Sequence, residues 1–305
     1  MIGTFQKMIA SARGGVRARL AVPLPIKQDL DLLCRVTEEG FILPVLIGDG
    51  GAMESLVKKS PLSSLEHEIL NVGEDPGEAL STAITLVREG RADILMQGGI
   101  GQKPFMEEVL DAKNGLLKSK VASYASIVQF QRREKLVLVT DTFINNFPGI
   151  AEKQIILENA LGLAGILGME EPKVAVISAI EQVNPSIPST LDAAALAKMA
   201  ERGQFGKAVV DGPLDMDCAL SRVAAARKNV RSVVTGNADI YLVPEIETGL
   251  PLVQALCFFG GMKTAGMMLG AKVPVIPDIP FISDEERAAE LALAVLMTRK
   301  GGNHE

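Results

Sequence analysis

Short runs rich in β-branched apolar residues recur along this chain, each followed by a longer stretch of helical period, and that alternation leaves few folds open. Two strands separated by a helix cannot pair in a tight hairpin, so the pattern predicts an α/β fold of stacked βαβ units around a largely parallel sheet. The predicted strands are Arg19–Val22, Phe41–Ile47, Glu68–Val72, Asp93–Met96, Leu136–Val139, Lys173–Ser178, Lys207–Val210, Asp239–Val243 and Val273–Ile276. Two helix starts are legible from capping chemistry. Asp75-Pro76-Gly77-Glu78 supplies an N-cap acid, a first-turn proline and an N3 glutamate, opening a helix to about Gly90. Ser283-Asp284-Glu285-Glu286 opens a second, running to about Met297, with a tail from Arg299 expected to fray.

With 305 residues the chain is long enough for two α/β domains with a cleft between them. The loop Asp141–Pro148 follows a strand and ends in proline, so it is read as the crossing between halves. That places residues 1–140 with 271–305 in a first domain and 141–270 in a second. A net charge of −6 argues against a nucleic-acid surface, because phosphate backbones are held by clustered Lys and Arg. No apolar run reaches the ~18 residues that span a bilayer. The start carries no basic segment leading into an apolar run, and three scattered cysteines form no CxxC pair, so the expected compartment is the cytoplasm. His67 and His304 are the only histidines, which argues against a His-based triad or a His-rich metal site.

Open α/β sheets bind ligands beyond the carboxyl ends of their strands, so candidate residues are sought in those loops. Gln97-Gly98-Gly99-Ile100-Gly101-Gln102-Lys103-Pro104 lies between a strand and a helix expected near Phe105. Gly98, Gly99 and Gly101 would let backbone approach a phosphate, with Lys103 adding charge; the same pattern also suits a plain strand-to-helix turn. Asn184-Pro185-Ser186-Ile187-Pro188-Ser189-Thr190 follows another strand, where Ser189 or Thr190 either caps a helix or meets an oxyanion. Asp211 and Asp217, in Asp211-Gly212-Pro213-Leu214-Asp215-Met216-Asp217, either orient a substrate, position a thiol or bind a divalent ion, or simply answer the helix dipole. The dinucleotide fingerprint fails, since Met53 and Pro104 stand where its third glycine belongs, and no GxxxxGK[ST] run exists.

Taken together, Asn184-Pro185-x-x-Pro188-Ser189-Thr190-Leu191-Asp192-Ala193-Ala194, Arg202-Gly203-Gln204 and Asp211-Gly212-Pro213-Leu214-x-x-Asp217 resemble the phosphate acetyl/butyryltransferase family, and phosphate butyryltransferases in particular. Leu138-Val139-Thr140-Asp141 and Gly236-Asn237-Ala238-Asp239 through Gly249 extend the similarity over nearly the whole chain. The resemblance implies a two-domain fold like isocitrate and isopropylmalate dehydrogenases, usually dimeric. It also implies transfer of a short acyl group between CoA and phosphate as substrates, with no cofactor and no metal. Asp211 and Asp217 are then the catalytic candidates, and Gly98, Gly99, Gly101, Lys103, Thr140, Asn184, Ser189 and Thr190 the substrate-binding ones. Its partners are those small molecules, with no nucleic acid, no membrane and a second copy of the chain. Several positions depart from the pattern. The Ser-Arg step after the last strand is Ile279-Pro280, the first Lys-Gly is Gln97-Gly98, the Arg after Gly-Leu is Leu117, and the Gly-Asn and following Lys are Gly249-Leu250 and Gln254. A paralogue that kept the cleft as a ligand-binding or regulatory subunit is therefore the alternative, with a dehydrogenase of the related fold behind it.

Overall fold

A computed structural model describes residues 1–130 and 134–301; residues 131–133 and 302–305, His304 among them, lie outside the described residues. The chain divides into two compact units, Phe5–Lys120 with Ala265–Glu305, and Met1–Thr4 with Val121–Thr264. These breaks fall about twenty residues before the expected one at 140/141 and close to the one at 270/271. The reason is a strand that the sequence reading missed. Ser123–Gln129 pairs antiparallel with Leu136–Thr140, and that ladder keeps residues 121–140 in the second unit.

In the first unit, β1 (Ala18–Pro23) lies between β2 (Ile42–Gly48) and β4 (Ile94–Met96), with β3 (Glu68–Asn71) outside β2, all parallel. β11 (Val275–Ile276) joins β4 in parallel, and β10 (Lys263–Leu269), also missed, runs antiparallel to β11. The second unit has the order β5 (Ser123–Gln129), β6 (Leu136–Thr140), β9 (Ile240–Leu242), β7 (Lys173–Ile177), β8 (Val209–Leu214), parallel from β6 onward. The fold is thus α/β with a mixed rather than largely parallel sheet. Leu20, Ala21, Val22, Ile94 and Leu95 are fully buried, as expected of parallel strands covered on both faces.

Both capping signals form as read. Asp75 accepts from the Glu78 amide at 2.8 Å at the start of α4 (Pro76–Arg88), and Ser283 and Glu286 bond reciprocally before α11 (Asp284–Gly301). The end of α11 does not fray at Arg299, whose guanidinium donates to Ala12 O at 2.7 Å and so ties α11 to α1 (Phe5–Ala12). Ser189 and Thr190 are not caps. Ile187 is the N-cap of α7 (Pro188–Glu201) and Pro188 takes the first helical position, where its missing N–H costs nothing.

α11 also buries a carboxyl. Glu290 is fully enclosed and accepts from the Gly266 amide at 2.8 Å. Burial raises its pKa to about 8, against the Arg287 charge and that amide, which lower it. Because the folded value lies above the unfolded one, the group's contribution to stability is complete below about pH 4.5 and is lost as pH rises to about 8. Unfolding free energies measured from pH 5 to 8 should decline more steeply in the wild type than in Glu290→Gln, with a limiting difference of about 1.4 kcal/mol per pH unit. Parallel curves would refute the buried-acid assignment.

Candidate functional site

Because β6, β9, β7 and β8 are parallel, their carboxyl ends and the helices that follow collect at one edge of the second unit. A cavity of about 710 Å³ opens there. Four helices begin at its wall: α6 (Ile150–Ile166) after Gly149, α7 at Pro188, α8 (Met216–Leu220) after Asp215, and α10 (Ile246–Phe258) after Glu245. Their exposed first-turn amides and dipoles favour an oxygen that carries negative charge.

Among the polar walls, Ser178, at the end of β7, and Ser189, in the first turn of α7, have hydroxyls 2.7 Å apart. Lys153 is buried one turn into α6 and pairs with Asp192 of α7 at 2.7 Å. Glu245 and Thr248, around the start of α10, complete the polar side, while Phe147, Pro148, Ile177, Ile187, Met216 and Pro244 are apolar. Of the sequence candidates only Ser189 lines this cavity. Ser178, Lys153, Met216 and Glu245 were not singled out. Lys153 left no clear signal, since Glu152 and Gln154 flank it and make it read as one more polar residue of the helix.

The other candidates are placed as follows. Thr190 is buried, and its hydroxyl accepts from Asn184 N at 2.9 Å and lies 2.7 Å from Ile187 O, so it holds the β7–α7 loop rather than facing open space. Asn184 Oδ1 accepts from Ser186 N at 2.9 Å, tightening the same loop. Thr140 is buried at the end of β6, with its hydroxyl donating to Tyr124 O at 3.2 Å. The adjoining Asp141 is buried too; burial raises its pKa although the Phe143 and Ile144 amides bond it. Asp211 lines a second, smaller cavity of about 350 Å³ with Gly212, Pro213 and Lys228. Asp217 is more than half exposed and accepts from Lys228 at 2.7 Å.

Gly98, Gly99, Gly101 and Lys103 belong to the first unit. Gly98 has φ +60°, and a Cβ there would stand 2.1 Å from Pro23 O. At Gly99 it would stand 2.3 Å from Leu24 O, while the Gly99 amide donates to that same oxygen at 2.9 Å. These glycines are required by close packing on the turn after β1, and the Gly99 amide is not free for a phosphate. Gly101 is the N-cap of α5 (Gln102–Val109), and Lys103 is 84% exposed with Glu107 at 3.9 Å. Gln97 is buried, donating to Ile100 O at 2.7 Å and accepting from Asp278 N at 2.9 Å, so it braces the loop. Ile279 is buried as well.

Asp215, Asp217 and Cys218 bring ligand atoms within 4.8 Å of one another, the set best able to hold a metal among the described residues. Lys228 sits on both carboxylates and already balances them. Burial works to raise Asp215, but its bond from Lys228 holds it well below the ordinary carboxylate range. Burial, with the bond to Asp215 adding to it, pushes the Cys218 thiol up to about 12, which removes it as a nucleophile.

The Lys153–Asp192 pair predicts an asymmetry. Asp192→Asn leaves a buried ammonium without a counter-charge and should destabilise the protein by about 3 kcal/mol. Lys153→Met leaves Asp192, a quarter exposed, with access to water, and should cost less than half as much. Denaturant titrations of the two variants test this, and equal losses would contradict it.

The comparisons with known proteins agree over nearly the whole length. The family model described as "Phosphate acetyl/butaryl transferase" matches residues 53–278. A phosphate butyryltransferase of Clostridium acetobutylicum is 36% identical, over 97% of this chain and 99% of that protein. A phosphate acetyltransferase of Rhizobium meliloti is 35% identical over 96% of this chain and 92% of its own. The crystal structure of a branched-chain phosphotransacylase from Enterococcus faecalis superposes with a TM-score of 0.79 at 28% identity, covering 92% of this chain and 99% of that one. With the family model matching residues 53–278 and relatives 35–36% identical over nearly its whole length, this chain belongs to the phosphate acetyl/butyryltransferase family.

Proposed function

We propose that the chain moves a short acyl group between CoA and inorganic phosphate. A phosphate oxygen attacks the thioester carbonyl, the tetrahedral intermediate expels the thiolate, and acyl phosphate and CoA result; the reverse follows the same path. What supports this most is the end-to-end match to a phosphate butyryltransferase, over 97% of one chain and 99% of the other. The reaction needs neither metal nor redox cofactor, because positioning and charge stabilisation do the work.

In this reading Ser189, bonded to Ser178, donates to the carbonyl oxygen as it gains charge. Asp211 and Asp217 orient the thiol from the neighbouring strand end, with Lys228 bonded to Asp217 at 2.7 Å. Lys103, an exposed cation on the loop whose path Gly98, Gly99 and Gly101 shape, meets the phosphate. Thr140, Asn184 and Thr190 hold the backbone that presents these groups. The proposed fold is the two-domain one of isocitrate and isopropylmalate dehydrogenases, acting in the cytoplasm as a homodimer. α10 supports self-association: it is apolar, yet Gly249 and Val253 are its only fully buried residues, and Phe258 and Phe259 at its end are 71% and 93% exposed.

A second reading, a ligand-binding paralogue, is favoured by one observation: Ile279 and Pro280 cannot donate the side-chain bonds that Ser and Arg would give phosphate. Loss of one preorganised donor costs about 10²–10³ in rate. Butyryl-CoA and acetyl-CoA turnover with phosphate should therefore be at least about a hundredfold below that of an ordinary relative, yet above the protein-free rate. Ile279→Ser with Pro280→Arg should raise it. No CoA-dependent acyl phosphate from either protein would favour the paralogue, and turnover within about tenfold of the relative would show those donors to be dispensable.

A further inference from the structure

In the first unit, α11 carries two ionisable side chains on one buried face. Arg287 and Glu290 stand three residues apart, which sets their Cβ atoms about 5–6 Å from each other, and both residues are buried. Two acids approach the guanidinium from other elements. Asp29, in the first turn of α2 (Lys27–Glu38), lies 3.7 Å from Nη1, and Asp278, in the loop between β11 and α11, lies 3.4 Å from the same nitrogen. Both distances exceed an ordinary hydrogen bond, and Nη2 is buried with no partner. A guanidinium taken out of water with so few of its five N–H groups bonded is loosely held. We propose that Arg287 is a latch with two positions: while Glu290 keeps its proton the guanidinium spans Asp29 and Asp278, and when Glu290 releases that proton the guanidinium turns to the new carboxylate and lets both go.

The surroundings supply both positions. Glu290 accepts from the Gly266 amide at 2.8 Å and, as a neutral acid, needs no counter-charge. Ionised, a carboxylate enclosed to this degree does need one, and Arg287 is placed to serve. The other charges on the packed elements are turned away. On α2, Lys27, Asp31, Arg35 and Glu38 are exposed, as are Lys7 of α1 and Asp284 and Glu285 of α11. β4 and β11 bring apolar residues alone, and Lys263 of β10 lies three residues from Gly266, on the opposite face of the strand. Burial, with Asp278 and Glu286 adding to it, brings the Glu290 pKa to about 8 against Arg287 and the Gly266 amide, so the proton leaves close to neutral pH. The latch governs the ligand edge of this sheet. Asp29 accepts from the Ile26 amide at 2.9 Å, closing the start of α2 just after β1, and the Asp278 amide is bonded to Gln97 just after β4. One guanidinium thus ties together the segments that follow β1, β4 and β11, where open sheets take ligands. On release Asp278, 46% exposed, returns to water, but the buried Asp29 loses its counter-charge and the first turn of α2 loosens. This device does not rest on the acyl-transfer reading.

Carboxyl ¹³C NMR of the full chain, titrated from pH 6 to 10, should show a glutamate with a midpoint near 8 that is lost in Glu290→Gln. Hydrogen exchange read by mass spectrometry, corrected for the intrinsic rate, should show residues 26–30 and 277–282 opening about tenfold more at pH 9 than at pH 7, the effect of losing a bond to a charged group. That opening should not respond to denaturant below the unfolding transition, which marks it as local rather than global. Glu290→Gln has no proton to lose and should exchange alike at both pH values. Arg287→Met, which serves if the first variant fails to fold, should open both segments already at pH 7 and show no further change at pH 9. The proposal is overturned by a Glu290 that does not titrate in this range, by equal pH responses in the wild type and Glu290→Gln, or by segments as well protected in Arg287→Met as in the wild type.

Discussion

Parallel pairing of β6, β9, β7 and β8 is the constraint on which the second unit depends. Strands that run the same way must return through helices, so four strand ends lie together and four helix starts follow them at one edge. The interior of that edge cannot be wholly apolar, because each helix start brings amides that have no partner within the helix. The chain answers with Ser178, Ser189, Asp192 and Lys153 in mutual bonds, and the ion pair joins α6 to α7 as it closes the floor. The cavity is what remains above them. Its chemistry follows: polar where carbonyl oxygens would lie, apolar where Ile177, Ile187 and Met216 approach.

The first unit meets a different demand. Its glycine loop has the look of a phosphate cradle, but Gly98 and Gly99 lie against the carbonyls of Pro23 and Leu24, where no side chain fits. Packing alone accounts for them. The buried Gln97 then links that loop to Asp278. A neutral amide that bonds at both ends is a stable brace; a lysine in its place would bring a charge needing a counter-charge. Gln97 and the Asp278 backbone it bonds, with the buried Ile279 next in sequence, thus form one connected region.

Strands with continuous β-branched runs were legible to within a residue or two, as at Lys173–Ile177 and Leu136–Thr140. The two that were missed have reasons. Ser123–Gln129 has its β-branched pair only at Ile127-Val128, and Lys263–Leu269 has Ala and Gly at its centre, which carry weak β preference. Missing Ser123–Gln129 also misplaced the boundary between units. At the site, spacing located the loops but not the side chains. Ser189 was reached because it follows a strand, whereas Lys153 lies inside a helix with Glu152 and Gln154 beside it, and its pairing with Asp192 spans 39 residues of sequence. Asp217 is conspicuous in sequence, yet only the structure reveals that Lys228 already occupies it.

The most direct test of the account is exchange of labelled inorganic phosphate into butyryl phosphate, followed by ³¹P NMR with ¹⁸O-labelled phosphate. Exchange requires the acyl group to pass to CoA and back, so it reports the full transfer in both directions even when net turnover is slow. The account predicts exchange above the protein-free rate only when CoA is present. Exchange that proceeds equally without CoA, or none at all with it, would contradict the reading of this chain as an acyl-CoA:phosphate acyltransferase.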